Sequence, residues 1–174
     1  MRNKDSQRVF DELLILRAQD SDTKALELLV KRWHHNFLKY AIRIVREYSL
    51  GQDIVQDSWV AIIKNLKKLK NPAHFRPWAY RIIHHKAMDE FRKQKRENRK
   101  EEKEDLENKI DDRIEMILLQ LNALEPEDKN IITLFYLEEM PIAEIAFILD
   151  IPPGTVKSRL FYSRKKLKKR LNIK

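Results

Sequence analysis

The stretch EIAFILDIPPGTVKSRLFYSRKKL, residues 144–167, contains two apolar stripes on either side of a short break. Each stripe recurs at helical spacing. The members before the break are Ile145, Ala146 and Leu149, with Ile142 just ahead of the quoted stretch, and those after it are Val156, Leu160, Ser163 and Leu167. The two stripes can pack against each other only if the chain turns sharply between Asp150 and Pro153. Asp150 suits such a turn because Asp tolerates the left-handed backbone conformation of many helix ends. The stretch therefore predicts a helix-turn-helix.

The second helix of this pair is strongly basic. From Lys157 to Lys174 the chain carries nine Lys or Arg residues and no Asp or Glu. DNA-binding proteins lay the second helix of such a pair in the major groove. We expect its DNA-facing side to carry Thr155, Lys157, Ser158, Phe161, Tyr162 and Lys165, with Arg159 and Arg164 alongside.

The composition of the whole chain fits a helical protein with a polyanionic partner. The 174 residues carry a net charge of +9, 36% are charged, and only two are glycine. The absence of cysteine excludes disulfides and thiolate metal sites, and we expect no metal or cofactor. No stretch has the apolar core of a signal peptide or the ~20 apolar residues of a membrane span, so we expect a cytoplasmic protein with no stable membrane insertion.

A charged run divides the chain. Residues 92–112 are almost devoid of apolar side chains, so this run is either the solvated end of a helix or a flexible linker. We expect a helical first domain at 1–97, a linker at 98–113, and a second domain at 114–174. The predicted fold class is all-α, with two small helical domains joined by a charged linker and the helix-turn-helix in the C-terminal one.

Three helices are predicted in the first domain. The first follows a cap at Asp22 or Ser21, and the second follows a turn that Gly51 ends. Residues 70–74 are predicted to form a loop, and a third helix starts at about Arg76, with Pro77 in its first turn.

The quoted stretch resembles the minus-35-reading domain of bacterial sigma factors, in particular the extracytoplasmic-function (ECF) group. In the first domain, DIVQDSWVAIIKNL at 53–66 and FRPWAYRIIHHKAMDEFRKQKR at 75–96 resemble that family's polymerase-binding and minus-10-binding segments. The resemblance implies a factor that binds core RNA polymerase, directs it to promoters and helps to open the DNA. It also implies an anti-sigma factor as a partner.

The resemblance assigns roles residue by residue. Asp53, Gln56 and Asp57 are expected to dock on the coiled coil of the polymerase's largest subunit. The minus-10 DNA is expected to meet Asn71, His74, Phe75, Arg76, Trp78, Tyr80, Arg81 and His85. Aromatic and basic side chains of this kind can hold unstacked bases.

Other functions explain less of the sequence. The adjacent pairs His34-His35 and His84-His85 point to different sides of a helix, so neither pair can chelate a metal. No phosphate-binding glycine loop or nucleophile motif occurs, and we expect no enzyme activity. The main alternative is a stand-alone helix-turn-helix regulator with an N-terminal dimerisation or sensor domain. A membrane-surface or RNA-binding protein would explain the charge but not the turn.

Overall fold

The computed structural model describes residues 2–97, 120, 121 and 123–171, and every described element is helical. The chain divides into two compact units, residues 1–96 and 97–174. The all-α prediction is confirmed, since no strand occurs in these ranges. The predicted linker at 98–113 lies outside the described residues.

The first unit contains four α-helices and two short 3-10 turns. These are α1 (Arg2–Gln19), α2 (Thr23–Val45), α3 (Tyr48–Asn65) and α4 (Phe75–Glu97), with the turns Leu66–Lys68 and Pro72–His74 between α3 and α4. The sequence reasoning missed α1, which buries Leu14 and Ile15. The predicted loop at 70–74 contains the second 3-10 turn.

The helix ends in the first unit follow local chemistry. Asp22 caps α2, as predicted, by accepting a hydrogen bond from the Ala25 amide at 3.1 Å. The prediction that Gly51 ends a turn is wrong, because Gly51 lies inside α3, where its backbone packs on α2. A Cβ atom at this position would stand 2.6 Å from Cγ1 of Ile42. Glycine is therefore required by the close approach of two helices.

An aromatic cluster fills the core of the first unit. Its members are Trp33, Phe37 and Tyr40 on α2, Trp59 on α3, and Phe75 and Tyr80 on α4. Phe37 is the centre, with ring centroids 5.3 Å from Trp59 and 5.2 Å from Tyr80. Edge and tilted contacts at these separations are favourable for aromatic rings and join three helices into one core.

The second unit has three described α-helices and one π-helical turn. These are α5 (Pro126–Ile132), the π turn (Thr133–Leu137), α6 (Ile142–Leu149) and α7 (Pro153–Arg170). The helical pitch changes after Ile132, where α5 continues directly into the π turn. The predicted helix-turn-helix is formed by α6 and α7.

The turn between α6 and α7 depends on Asp150. Its backbone is left-handed, with φ 57° and ψ 44°, as the sequence predicts. The amides of Asp150 and Ile151 both donate to the carbonyl of Ala146, which closes the end of α6. Gly154 lies within α7 and has no atom within 4 Å of where its Cβ would be, so it is not the residue that makes the turn.

Candidate nucleic-acid interface

The outward face of α7 presents polar, basic and aromatic side chains to solvent. Lys157, Ser158, Phe161, Tyr162 and Lys165 are exposed, and Thr155 is half-buried. The rings of Phe161 and Tyr162 meet edge to face, with centroids 5.4 Å apart. The opposite face buries Val156, Leu160 and Ser163, as the predicted stripe requires. A helix of this kind can offer both hydrogen-bond donors and apolar contacts to base edges.

Ion pairs fix α7 against α5. Asp128, which is largely buried, accepts a hydrogen bond from Nζ of Lys166 at 3.0 Å and lies 3.9 Å from Nη1 of Arg159. Arg159 was expected to face DNA, but this contact directs it toward α5. These pairs join α7 to α5 on the same side as the buried Val156 and Leu160, and the opposite side of α7 points outward.

Arg164, another expected DNA contact, also has partners within the unit. Its guanidinium carbon lies 5.7 Å from the ring centroid of Phe135 and 5.9 Å from that of Tyr136. Its Nε donates to the Leu160 carbonyl at 3.3 Å. Stacking of this kind anchors α7 to the π turn, so Arg164, although exposed, has contacts within its own unit.

The segment before α4 places two polar residues on the surface. Asn71 caps the Pro72–His74 turn by accepting from the Ala73 amide at 3.0 Å, and the His74 amide donates to the Asn71 carbonyl. Both Asn71 and His74 are exposed. Their backbone is thus ordered while the His74 imidazole remains accessible.

The expected minus-10 residues on α4 divide between core and surface. Phe75 and Tyr80 are buried, so they cannot stack on a base without unpacking the aromatic cluster. The guanidinium carbon of Arg76 lies 5.9 Å from the Trp33 centroid and 6.0 Å from that of Tyr80, on the side of this cluster.

The other residues of α4 that were expected to meet minus-10 DNA are exposed to solvent to different degrees. Trp78 and Arg81 are half-buried, and His85 is exposed. With Asn71 and His74, these residues form the part of the expected set that can reach DNA.

A buried histidine lies behind this surface. Nδ1 of His84 is 3.0 Å from the Tyr40 hydroxyl. Burial, together with the charges of His85 and Arg92, lowers the pKa of His84 to about 4. His84 is therefore neutral at pH 7 and packs in the core beside Tyr40.

The α3 helix carries the expected polymerase-binding residues on one exposed face. Asp53, Gln56 and Asp57 are all exposed, while Val55 and Trp59 are buried on the other side. Val60, one turn after Gln56, is 63% exposed on the same face. The exposed face of α3 therefore combines acidic, amide and apolar side chains, and the sequence reasoning did not single out Val60.

The described residues contain neither a metal-binding cluster nor a membrane-spanning helix. No group of three or more His, Cys, Asp or Glu side chains in this part of the chain could hold a metal ion. None of the described helices is both long and apolar enough to cross a membrane.

Comparison with known families decides the identity. Residues 29–97 match the family model for sigma-70 region 2, and residues 114–167 match that for sigma-70, region 4. The chain belongs to the sigma-70 family. The region 2 match covers α3, α4 and most of α2 but begins after α1, and the region 4 match covers α5, α6 and most of α7.

Relatives place this sigma factor in the ECF group. The ECF RNA polymerase sigma-E factor of Haemophilus influenzae is 29% identical, and the match covers 95% of this chain and 97% of that one. The sigma-E factor of Escherichia coli K12 and the sigma-H factor of Pseudomonas aeruginosa are each 28% identical, with 93% of their lengths covered.

Solved structures share the fold of this sigma factor. CnrH, solved in complex with the cytosolic domain of CnrY, matches 94% of this chain with a TM-score of 0.72 and 24% identity. RpoE from Bartonella quintana, solved with the anti-sigma factor NepR, matches 86% with a TM-score of 0.75 and 18% identity.

Proposed function

We propose that this ECF sigma factor uses the exposed face of α3 to bind core RNA polymerase and two separate surfaces to read promoter DNA. Residues 1–97 bind core polymerase and capture the minus-10 element, residues 114–174 read the minus-35 element, and residues 98–113 join them. The protein acts in the cytoplasm, where it catalyses no reaction itself. The ordered match to regions 2 and 4 is the observation that carries this proposal.

The DNA contacts follow from exposure. In the second unit, Lys157, Ser158 and Phe161 reach base edges from the first turns of α7, while the later lysines hold phosphates. In the first unit, Asn71 and His74 contact the opened minus-10 strand, and Trp78, Arg81 and His85 line its path. Phe75 and Tyr80 support this surface from within the core.

An anti-sigma factor is a further proposed partner. CnrH and RpoE, which share this fold, were both solved in complex with another protein, CnrY or the anti-sigma factor NepR. The exposed face of α3, with Asp53, Gln56, Asp57 and Val60, is a surface that such a protein could cover.

Charge reversal on α3 tests the polymerase-binding assignment. Asp57→Arg should abolish binding to core polymerase, because it reverses a charge in the proposed contact surface. The fold should be retained, because Asp57 is exposed and its side chain is not part of the helix core. Glu27→Arg on α2 is the matched control, since it reverses an exposed acidic residue outside the α3 face. Core binding would be measured by competition with labelled wild-type protein, with circular dichroism to confirm folding. Wild-type affinity in Asp57→Arg would remove the assignment.

A further inference from the structure

The last turn of α1 contains a side chain that binds a distant loop. Nε2 of Gln19 donates to the carbonyl of Leu66 at 2.9 Å and to the carbonyl of Leu69 at 2.8 Å. A glutamine amide has two N–H donors, and both are used here on one segment 47 and 50 residues further along the chain. Gln19 is half-buried, so these contacts are partly shielded from water.

The two carbonyls flank the 3-10 turn that follows α3: Leu66 is the C-cap of α3, and Leu69 is the C-cap of the turn. The last carbonyls of a helix have no partner within the helix, and a side chain can satisfy them. Here the chain tightens into the 3-10 turn Leu66–Lys68, in which the Leu69 amide donates to the Leu66 carbonyl at 3.0 Å. Gln19 closes this end from outside and fixes where the chain leaves α3.

A second contact joins the same two parts of the unit. Nζ of Lys67 donates to Oγ of Ser21 at 3.1 Å, and α1 packs against both short turns of the loop. Ser21 follows α1 with a left-handed backbone, φ 73°. The corner between α1 and α2 therefore holds the segment that leads into the second turn.

From these contacts we infer that Gln19 is a positioning residue for the minus-10 surface. Only Lys70 separates Leu69, whose carbonyl Gln19 binds, from Asn71, which caps the Pro72–His74 turn. Fixing Leu69 thus fixes the origin of the turn that presents Asn71 and His74. The inference rests on the proposed function, and it concerns a residue that precedes the region 2 match at 29–97.

The loop needs such a support because it must hold a DNA base in an accurate position. An extruded base must be held within ~0.5 Å of the productive geometry, and loops meet this demand only when other groups brace them. Gln19→Glu keeps the shape of the side chain but replaces both donors with carboxylate oxygens. These oxygens would repel the carbonyls of Leu66 and Leu69 and shift the loop.

The experiment measures promoter opening by holoenzyme as the rate at which minus-10 thymines become permanganate-reactive. Gln19→Glu is compared with Gln7→Glu, the same change at an exposed position about three turns earlier on α1. A loop variant, Asn71→Ala with His74→Ala, is made alone and combined with Gln19→Glu. Gln19→Ala is a milder version, and circular dichroism establishes that each variant is folded.

We expect Gln19→Glu to slow opening by about five- to tenfold while its affinity for core polymerase stays at the wild-type value. Gln7→Glu should open DNA at the wild-type rate. In the loop variant, adding Gln19→Glu should cause no further loss, because both changes act on the same contacts.

Four results would overturn the inference. If Gln19→Glu opens DNA at the wild-type rate while the loop variant is slow, the inference is refuted but the proposed function is not. The same holds if the fold-reduction in the combined variant equals the product of the fold-reductions in the two separate variants. An equal loss of core affinity in Gln19→Glu would show a general structural role and would also refute it. A loop variant that opens DNA normally refutes the minus-10 assignment of the proposed function, and the inference with it.

Discussion

The two units use the same residue types in opposite ways. Tyr80 in the first unit is 0% exposed, whereas Tyr162 in the second is 59% exposed. Phe75 and Phe161 differ in the same sense, at 2% and 61%. Both pairs stand in segments that resemble DNA-binding segments of sigma factors, so resemblance alone does not separate them.

Under the proposed function, the two units would read DNA with differently built surfaces. In the second unit the surface would be one helix, on which the rings of Phe161 and Tyr162 are exposed. In the first unit the rings of Phe75 and Tyr80 lie in the core, and the accessible residues lie on a short turn and on α4. The proposed first surface would then need support from other elements, and the proposed second would depend on the rotation of one helix.

The largest predicted effect is the difference in stability loss between replacing a buried tyrosine and replacing an exposed one. Tyr80→Ala removes a fully buried ring that contacts Phe37 and Tyr40, and should cost about 3–5 kcal/mol of the free energy of unfolding. Tyr162→Ala should change it by less than about 0.5 kcal/mol. Urea denaturation followed by circular dichroism measures both. Similar losses in the two variants would remove the distinction between the units.

The second effect is a pH dependence confined to the first unit, which contains all five histidines. His84 has a pKa of about 4 in the folded protein and an ordinary value of 6.5. Between these pKa values the unfolded chain binds more protons than the folded protein. Lowering the pH from 6.5 to 4 should therefore reduce the free energy of unfolding by about 3 kcal/mol, and this contribution is fully present above pH 6.5.

Denaturation at a series of pH values tests this dependence. His84→Gln should flatten the slope between pH 6.5 and 4, while His35→Gln, an exposed control, should retain it. An unchanged slope in His84→Gln would assign the pH dependence to other groups.

A third prediction separates base reading from phosphate binding along α7. Lys157→Ala should cost about 1–3 kcal/mol of binding free energy on the preferred minus-35 sequence and reduce the differences between sequences. Lys169→Ala should weaken binding to all sequences alike and lower the salt slope by about one. Competition binding of holoenzyme across single-base changes measures both. The reverse pattern would mean that the helix lies in the groove the other way.

The smallest predicted effect concerns Phe161. An exposed aromatic ring at a base edge can contact the methyl group of thymine. Replacing one thymine of the minus-35 element by deoxyuridine removes only that methyl and should weaken binding about fourfold, the equivalent of ~0.8 kcal/mol. Phe161→Ala should bind the two duplexes equally. Wild-type holoenzyme that is indifferent to deoxyuridine at every thymine would contradict the contact.

Local features of the fold were predictable from the sequence. The cap at Asp22, the left-handed turn at Asp150 and the buried seam of Val156 and Leu160 each depend on residues within a few positions of one another. Such features can therefore be predicted from a short stretch of sequence. The helix-turn-helix could be assigned for this reason.

Features set by distant contacts were not predictable. Tyr80 was expected to meet the minus-10 DNA, but it is fully buried because it packs against Phe37 and Tyr40 on another helix. Gly51 was misplaced because its partner, Ile42, lies on another helix. Gln19 has no local signal at all, since its partners are 47 and 50 residues away.

The proposed function requires that both DNA-reading surfaces act in one polymerase-bound factor. Binding of the full chain to a promoter duplex, with and without core RNA polymerase, is the decisive measurement. We expect weak binding with little sequence preference by the protein alone, and tight binding that requires both promoter elements once core polymerase is added. Tight, sequence-specific binding by the protein alone, unchanged by core polymerase, would refute the proposed function and indicate a stand-alone regulator.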